Sequence, residues 1–336
     1  MSVDVVSFDP ETDAAEWNRY VERSPTTTPL FRMEALTRQA TETGTTFSPL
    51  VGFKGQEAVG LFPVFVVQKG PFTAAFSPPP YAWSGYLGPA LLNIEKLKRR
   101  TADRRIRRFV EGCTAWVDDE YSPIYQQFVT GPLEDVRPFA WEGFDVTPEY
   151  TYVVDLGESA EDVLARFSSD ARQNVRSDTD RRCVIEEGSG DDVEAIVSQV
   201  RRRYTEQGRS FHLTPAYARG LYEVLPSGAI RPYVCRVDGS FVGGILALES
   251  STTRYRWLGG VRTDTDVDLA VNDLLDWNVM RDGLEQGLDA YDLLGAGVPR
   301  INEYKAKFDP RLEHHYTITD GVFGIDRLID GYRKYC

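Results

Sequence analysis

Residues that bind metal ions are scarce in this chain. Among 336 residues there are four cysteines and three histidines. The cysteines are scattered and lack the C-x-x-C spacing of structural zinc sites, so the sequence argues against a metal centre. The residues concerned are Cys113, Cys183, Cys235, Cys336, His212, His314 and His315.

Long apolar runs are absent as well. No window approaches the roughly 18 apolar residues that a membrane-spanning helix needs. The first residues, MSVDVVSFDPETDAAEW, are acidic and lack the apolar segment of a secretory signal. The sequence therefore predicts a cytoplasmic protein without a membrane span, whose thiols stay reduced and whose Cys183 and Cys235 are small buried residues.

The chain also contains few lysines. The chain has 7 lysines and 31 arginines against 51 aspartates and glutamates, and its formal net charge is -13. So acidic a chain does not bind nucleic acid or an anionic membrane through its overall charge, and an anionic ligand needs a local basic site. This bias is similar to that of proteins from salt-adapted, halophilic archaea, although a GC-rich genome would also favour arginine.

The few lysines are unevenly placed. After 206 residues (99–304) without any lysine, Lys305 and Lys307 occur together in YDLLGAGVPRINEYKAKFDP. A lysine ammonium is a compact point charge suited to a phosphate or a developing oxyanion, whereas arginine favours a planar fork. These lysines are therefore candidates for binding or catalysis. Lys96 and Lys98 have the same spacing on a helix predicted to be only solvated, so the spacing alone does not decide.

The order of predicted elements repeats in the two halves of the chain. In each half, helices come first, an antiparallel meander follows, and a long helix and a strand come last. Identity between the halves is slight, so the pattern indicates at most a divergent duplication. We predict an α/β protein of two domains, 1–150 and 151–336, without a flexible linker between them.

The second half ends in an ordered series of motifs. The strand YRWLGGV is followed by a predicted helix over 268–287, by the short strand AYDLLGA and then by the lysine segment. A helix with one buried apolar face lies against the sheet and delivers the short strand beside the end of the meander. We expect the two strands to splay there and to leave a groove.

This series resembles the C-terminal half of the FemABX and BioF2-like acyltransferases. Lys305 falls on the lysine of the family's Phe-Lys-x-x-Phe element, and Tyr304 replaces its first phenylalanine. Upstream, FSSDARQNVRSD resembles the family's basic helix, with Arg172 and Arg176 on its recurring arginines. The first half is similar more loosely, through PLFRMEAL, VGLFPVF and GYLGP.

The resemblance implies a fold, an activity and a place for the site. The fold is two tandem GNAT-like domains, each a mixed, mostly antiparallel sheet flanked by helices, with the active site in the second. The activity is transfer of an acyl or aminoacyl group from acyl-CoA or aminoacyl-tRNA to an amine, such as an amino-sugar, a peptide, a small molecule or a cell-envelope precursor. A non-catalytic ligand-binding or accessory protein of the same fold is the alternative.

One departure leaves the donor open. The GNAT pyrophosphate loop, Arg/Gln-x-x-Gly-x-Gly/Ala, is missing, because Gly259-Gly260 is followed by the acidic residues Asp264, Asp266 and Asp268. Those carboxylates would repel phosphate from the backbone amides. Aminoacyl-tRNA would suit the basic helix around 94–108, since phosphate contacts need only charge, but acidic residues interleave there and favour a solvated helix.

The remaining candidates are argued from residue type. Arg172 and Arg176 are four apart on one helical face and can clamp an anion, or form salt bridges with nearby aspartates. Asp292, the only ionisable residue of a short apolar strand, either forms hydrogen bonds with the backbone or acts as an orienting base.

No Ser-His-Asp or Cys-His pairing is visible, and His212 is a lone histidine, so direct attack in a ternary complex is simpler than an acyl-enzyme. The predicted catalytic residues are Lys305 and Asp292, and the predicted binding residues are Arg172, Arg176, Tyr255, Arg256, Asn272, Tyr304 and Lys307. The oligomeric state is left as monomer or homodimer.

Overall fold

The computed structural model describes residues 2–133, 135–157, 159–176, 183–260 and 270–321. The acidic stretch with Asp264, Asp266 and Asp268 and the end of the FSSDARQNVRSD stretch after Arg176 lie outside these residues. A terminal helix, which the sequence pattern predicts over 322–334, also lies outside them. Within the described ranges, no helix is both long and apolar enough to traverse a bilayer. In the same ranges, no three His, Cys, Asp or Glu side chains are grouped as they would be around a metal ion.

The described residues form thirteen strands, ten α-helices and one 3₁₀ turn. The strands are β1 (Asp4–Ser7), β2 (Thr46–Lys54), β3 (Glu57–Lys69), β4 (Phe72–Ser77), β5 (Ala90–Leu91), β6 (Tyr125–Val129), β7 (Asp145–Asp155), β8 (Cys183–Glu187), β9 (Ile230–Val237), β10 (Ser240–Glu249), β11 (Thr253–Gly259), β12 (Ala290–Asp292) and β13 (Arg311–Gly321). The helices are α1 (Ala14–Arg23), α2 (Met33–Thr43), α3 (Arg99–Tyr121), α4 (Arg137–Trp141), α5 (Ala160–Arg166), α6 (Ser169–Arg176), α7 (Gly190–Glu206), α8 (Pro215–Val224), α9 (Val271–Glu285) and α10 (Pro299–Ala306), with a 3₁₀ turn at Pro29–Phe31.

The chain divides into two compact units, Met1–Glu149 with His314–Cys336, and Tyr150–Glu313. We predicted a second domain that runs to the end of the chain. In the structure β13 pairs antiparallel with β6, from Thr317 opposite Val129 to Gly321 opposite Tyr125. Its residues from His314 onward therefore belong to the first unit, because their backbone hydrogen bonds are made there.

The first unit is a mixed sheet in the order β1-β2-β3-β4-β6-β13, with β5 paired to β3. Only β4 and β6 run parallel in it, and the long basic helix α3 packs on β1, β2 and β3. The Phe109 ring of α3 lies directly over Gly52 and Gly60, where a Cβ atom would come within 2.4 and 2.5 Å of it. Glycine is required at both positions because any side chain would lift the helix from the sheet.

The second unit repeats this arrangement in the order β7-β12-β11-β10-β9-β8. Strands β8 to β11 form the antiparallel meander, and β12 lies parallel to β11 after the crossover through α9. A capping box between Ser189 and Asp192 begins α7, and Thr214 with Pro215 begins α8. Helix α9 is buried on most of its sides and fills the core between the sheet and α6.

The sequence pattern predicts a helical region that starts near residue 159, and in the structure this region contains the two helices α5 and α6. Helix α5 ends at Arg166, Phe167 is extended, and α6 restarts at Ser169. The Phe167 side chain is 3 % exposed and packs edge-on against Trp277 and Phe308. The chain breaks here because burying this ring in the core outweighs continuing the helical hydrogen bonds. In the first unit, the basic helix α3 starts at Arg99 rather than at the predicted residue 94.

Candidate functional site

The strands β11 and β12 diverge in the second unit. They pair in parallel at three positions, ending with Tyr255 opposite Asp292. Strand β11 continues to Gly259, whereas the chain leaves β12 after Asp292 and turns at Leu294 and Gly295, whose φ angles are 48° and 84°. The last four residues of β11 are thus free of β12, so the two strands splay as the sequence predicts. The space between β11 from Arg256 onward and the Leu294–Gly295 turn is called the wedge below.

A buried carboxylate, Asp276 of α9, lies beside this wedge. It is 0 % exposed. Its Oδ1 accepts hydrogen bonds from Arg256 Nε at 2.8 Å and Tyr291 Oη at 2.7 Å, and its Oδ2 accepts one from Tyr304 Oη at 2.7 Å. Asp276 therefore joins α9, β11, β12 and α10 at one point.

Burial and the Asp276 carboxylate shift the pKa values of the groups that donate hydrogen bonds to it. Burial is the largest influence on the pKa of Arg256 and lowers it, but the charge and hydrogen bond of Asp276 together with Tyr291 and Tyr304 outweigh burial, and the pKa is raised overall. Burial, reinforced by the Asp276 charge, raises the pKa of Tyr291 and Tyr304 well above its usual value. Both phenols stay protonated across the physiological range and keep donating to Asp276.

Lys305 is the second buried charge of the wedge. Its side chain is 7 % exposed, and Nζ donates hydrogen bonds to the carbonyl oxygens of Leu294 at 2.9 Å and Gly295 at 2.6 Å. The ammonium has three N–H donors, and the third has no partner among the described residues. Burial, with the charge of Arg256 and against Asp292 and Asp276, lowers the pKa of Lys305 to about 8.

Asp292 organises the loop that Lys305 contacts. Its Oδ1 accepts hydrogen bonds from Thr151 Oγ1 at 2.6 Å and from the Leu294 N–H at 2.8 Å. Thr151 Oγ1 in turn accepts from the Gly295 N–H at 3.0 Å. Asp292 therefore fixes the Leu294 backbone directly and the Gly295 backbone through Thr151. The carbonyl groups of these two residues are the ones that accept hydrogen bonds from Lys305.

Tyr255 and Arg256 point to opposite faces of β11, because successive strand residues alternate. Arg256 is on the α9 face with Asp276. Tyr255 is 6 % exposed, and burial, followed by the Asp292 charge, raises its pKa to about 12. The structure brings Arg256, Tyr304 and Asp276 together, and it groups Tyr255 with Asp292 on the other face.

Arg172 and Arg176 line one cavity of about 370 Å³ together with Ser169 and Gln173. Arg172 Nη1 donates to the Ala165 carbonyl at 2.8 Å, and Arg176 lies 3.9 Å from Glu161, with both of these side chains exposed. An exposed ion pair at that distance contributes little free energy. Both guanidinium groups thus retain donors for an anion in the cavity.

Lys307 makes ion pairs rather than facing this cavity. Its Nζ lies 3.0 Å from Asp170 Oδ2 and 3.6 Å from Asp273 Oδ2, and Asn174 Nδ2 donates to the same Asp273 oxygen at 2.7 Å. Hydrogen bonding from Ser168, followed by Lys307, lowers the pKa of Asp170 to about 2. This cluster fastens α6, and with it the two cavity arginines, to α9.

Asn272, a predicted binding residue, and His212, to which the sequence assigned no role in the site, lie at other places. Asn272 is in the first turn of α9, and its Oδ1 is 3.3 Å from where a Cβ atom on Gly260 would be. It therefore lies near the free end of β11. His212 is exposed and precedes α8.

Sequence reasoning did not single out Asp276, Tyr291, Thr151, Asp273 or Asn174. The available signal was the pair Asp273 and Asp276, three residues apart inside an apolar helix, which places two carboxylates on one helical face. A carboxylate at a buried position requires donors, and only long-range contacts show which residues supply them.

Comparisons with known proteins define the class of fold. Residues 165–306 match the family model described as "Acetyltransferase (GNAT) domain". A comparison with curated proteins finds no match to this chain. The second unit, which contains all of the matched residues, has the strand order and the parallel crossover described above. The fold is a GNAT-like α/β fold.

Solved structures of similar fold extend over nearly the whole chain. FemX superimposes with a TM-score of 0.72 at 11% identity, and the match covers 94% of this chain and 96% of FemX. The C-terminal domain of a putative lysylphosphatidylglycerol synthetase from Agrobacterium fabrum gives 0.57 at 16% identity, covering 96% and 97%. A tandem GNAT protein from the clavulanic acid biosynthesis pathway gives 0.54 at 13% identity, covering 95% and 98%. These likenesses show the tandem GNAT architecture.

Proposed function

We propose that the protein transfers an acyl or aminoacyl group from an activated carrier to an amine. The observation that carries the proposal is the buried ammonium of Lys305 at the point where β11 and β12 diverge, with one donor left over. The free edge of β11 offers backbone groups to an extended carrier, as sheet edges do in other complexes. The matched GNAT domain and the tandem GNAT structures support the same class of reaction.

The mechanism we propose is direct attack without an acyl-enzyme. The neutral acceptor amine attacks the carbonyl carbon of the donor, and negative charge develops on the carbonyl oxygen. As the C=O bond re-forms, the bond from this carbon to the sulfur or oxygen of the carrier breaks, and the carrier leaves as a thiol or hydroxyl with the proton that the amine loses. The third N–H of Lys305 stabilises that oxygen, while Asp292 acts as a positioning residue by fixing the Leu294–Gly295 loop. The Asp276 cluster holds Arg256 and Tyr304 rigid beside the reaction, which lowers the reorganisation that the transition state requires.

Arg172 and Arg176 are proposed to bind the anionic part of the donor. Both candidate donors, acyl-CoA and aminoacyl-tRNA, carry phosphates, and two guanidinium groups in one cavity match that chemistry. Lys307 and Asp273 act as positioning residues for α6, the helix that carries both arginines. They pair with each other, Lys307 also pairs with Asp170 of α6, and Asp273 accepts a hydrogen bond from Asn174 of α6. Tyr255 and Asn272 remain proposed binding residues at the end of β11.

Replacing Arg172 and Arg176 together by alanine is expected to weaken donor binding at least about tenfold. Each charge-assisted hydrogen bond is worth about 1.5–3 kcal/mol, more than the tenfold step of about 1.4 kcal/mol. The measurement is a fluorescence titration with acetyl-CoA, a longer acyl-CoA and a charged tRNA. Arg281→Ala, an exposed arginine 3.8 Å from Glu285 on α9, is the control and should leave affinity unchanged. Equal affinity of all three proteins would contradict the assigned site.

A non-catalytic binding protein is the second candidate. It is favoured by the two carbonyl contacts of Lys305, which by themselves give the ammonium a structural use. The two candidates differ in one measurement. A binder takes up the donor in the titration but forms no product with glucosamine or a lysine-containing peptide, whereas the enzyme releases free carrier.

The salt-adapted origin, cytoplasmic location and monomeric or dimeric state are further proposals. If the composition reflects salt adaptation, the melting temperature should rise steadily as KCl is increased to about 1 M, where the Debye length is about 3 Å and repulsion among the excess carboxylates is screened. Scanning calorimetry measures this. A flat or falling melting temperature would indicate that the arginine bias has another origin.

A further inference from the structure

Two cysteines approach each other in the meander of the second unit. Cys183 begins β8 and Cys235 lies in β9, and their Sγ atoms are 3.4 Å apart. In the register, Cys183 is opposite Val237 and Cys235 is opposite Ile185, so the two cysteines are diagonal neighbours on the same face of the sheet. Their side chains already converge, although they are 52 residues apart in sequence.

We propose that Cys183 and Cys235 form a redox modification site that closes to a disulfide. A bonded pair has an S–S distance of about 2.05 Å, so the sulfur atoms must approach by roughly 1.4 Å. Diagonal neighbours have Cα atoms about 7–8 Å apart, wider than most disulfides span, so closure takes a small movement of the edge strand β8 as well as side-chain rotation. The sequence predicted only two small buried residues here. That expectation holds for Cys235, which is 0 % exposed, but Cys183 is only partly buried.

This difference in exposure fixes the order of the chemistry when the oxidant is a small disulfide such as oxidised glutathione. The Cys183 thiolate attacks one sulfur of the reagent, and the first glutathione thiolate leaves. The Cys235 thiolate then attacks Cys183 Sγ, the mixed disulfide breaks, and the second glutathione leaves. Two protein thiols lose two protons and two electrons, and the reagent's disulfide is reduced to two thiols.

The bond would close a loop that contains β8, α7, α8 and most of β9. Within the described residues of the second unit, β8 pairs only with β9 and forms the edge of the sheet. A covalent link at its first residue prevents this edge from separating. Edge strands are where sheets open most easily, so the disulfide is expected to raise the temperature at which the second unit unfolds.

The test uses the full chain with Cys336→Ser, which leaves three cysteines. After exposure to oxidised glutathione we expect the loss of two thiols per chain and a linked pair of tryptic peptides, 183–201 with 220–236. Cys113 should remain a free thiol, because it is fully buried and burial raises its pKa. The melting temperature should rise on oxidation and return on treatment with dithiothreitol.

Two variants separate the roles of the sulfurs. Cys235→Ser should stop at the mixed disulfide, gaining one glutathionyl group on Cys183, while Cys183→Ser should gain none. If the Cys336→Ser chain keeps all its thiols, or if its Cys183 retains glutathione without linking to Cys235, the proposal is overturned. Peptide mapping of the Cys336→Ser chain with both Cys183 and Cys235 present decides this even if either further variant fails to fold.

Discussion

Lys305→Ala is expected to lower turnover at least about tenfold while the protein stays folded. One donor to a developing oxyanion is commonly worth about 3–4 kcal/mol, and the Lys305 ammonium has one N–H available for that use. Lys305→Met keeps much of the side-chain volume and should lose activity equally. The measurement is release of free carrier from the acyl-CoA or aminoacyl-tRNA that binds in the titrations, with circular dichroism to follow folding.

The Lys305→Ala variant should still fold, because burying the Lys305 ammonium costs the folded wild-type protein free energy. The pKa of Lys305 in the folded protein is about 8, below the usual value near 10.5. Between these values the unfolded chain binds more protons than the folded one, so stability contributed by this group rises with pH and is lowest when the lysine is charged. Removing the charge at neutral pH therefore relieves a cost, which offsets the two lost hydrogen bonds to Leu294 and Gly295.

The pH profile distinguishes the proposed role of Lys305 from the opposite one. If the ammonium stabilises the oxyanion, turnover falls as pH rises through about 8, because the proton is lost there. If the neutral amine were a general base, turnover would rise through the same pH. Lys96→Ala, an exposed lysine of the first unit, is the control and should leave the profile unchanged. Unchanged turnover in Lys305→Ala would remove the catalytic assignment.

Much of the fold was predictable because local patterns carry it. The apolar alternation of the meander, the Asp238-Gly239 turn between β9 and β10, and the cap at Ser189 all specify their elements within a few residues. The tandem GNAT-like fold came from the resemblance and is the fold observed. The break at Phe167 was not predictable, because burial against Trp277 and Phe308 decides it and both lie more than a hundred residues away.

The site was predictable in part, because residue type and helical spacing are also local features of the sequence. Lys305, Arg256 and Tyr304 stand out by residue type, and Arg172 with Arg176 by helical spacing. What they contact depends on how α9 and α10 pack, which periodicity does not specify. Lys307, for example, shares the sequence context of Lys305, yet it pairs with Asp170 and Asp273. Among the described residues, the Lys305 ammonium instead donates its hydrogen bonds to backbone carbonyls.

Asp276→Ala is expected to destabilise the protein by about 3–5 kcal/mol, the largest stability loss among the changes considered. Removing the carboxylate leaves the Arg256 guanidinium, whose side chain is 15% exposed, without its partner and leaves two buried phenols without their acceptor. Urea unfolding measures the change. Glu285→Ala on the same helix is the matched control, because its 3.8 Å ion pair with Arg281 is exposed, and its effect should stay below about 0.5 kcal/mol.

A second change separates the charge of Asp276 from its packing. If the loss arises from an uncompensated buried charge, Arg256→Met in the Asp276→Ala background should restore stability, because an apolar side chain of similar length has no charge to desolvate. Arg256→Met alone should be destabilising, since it leaves Asp276 buried with two phenols and no cation. If the double variant were as unstable as the sum of the singles, the carboxylate would act through packing and the two tyrosines, and Arg256 would not depend on Asp276 for its position.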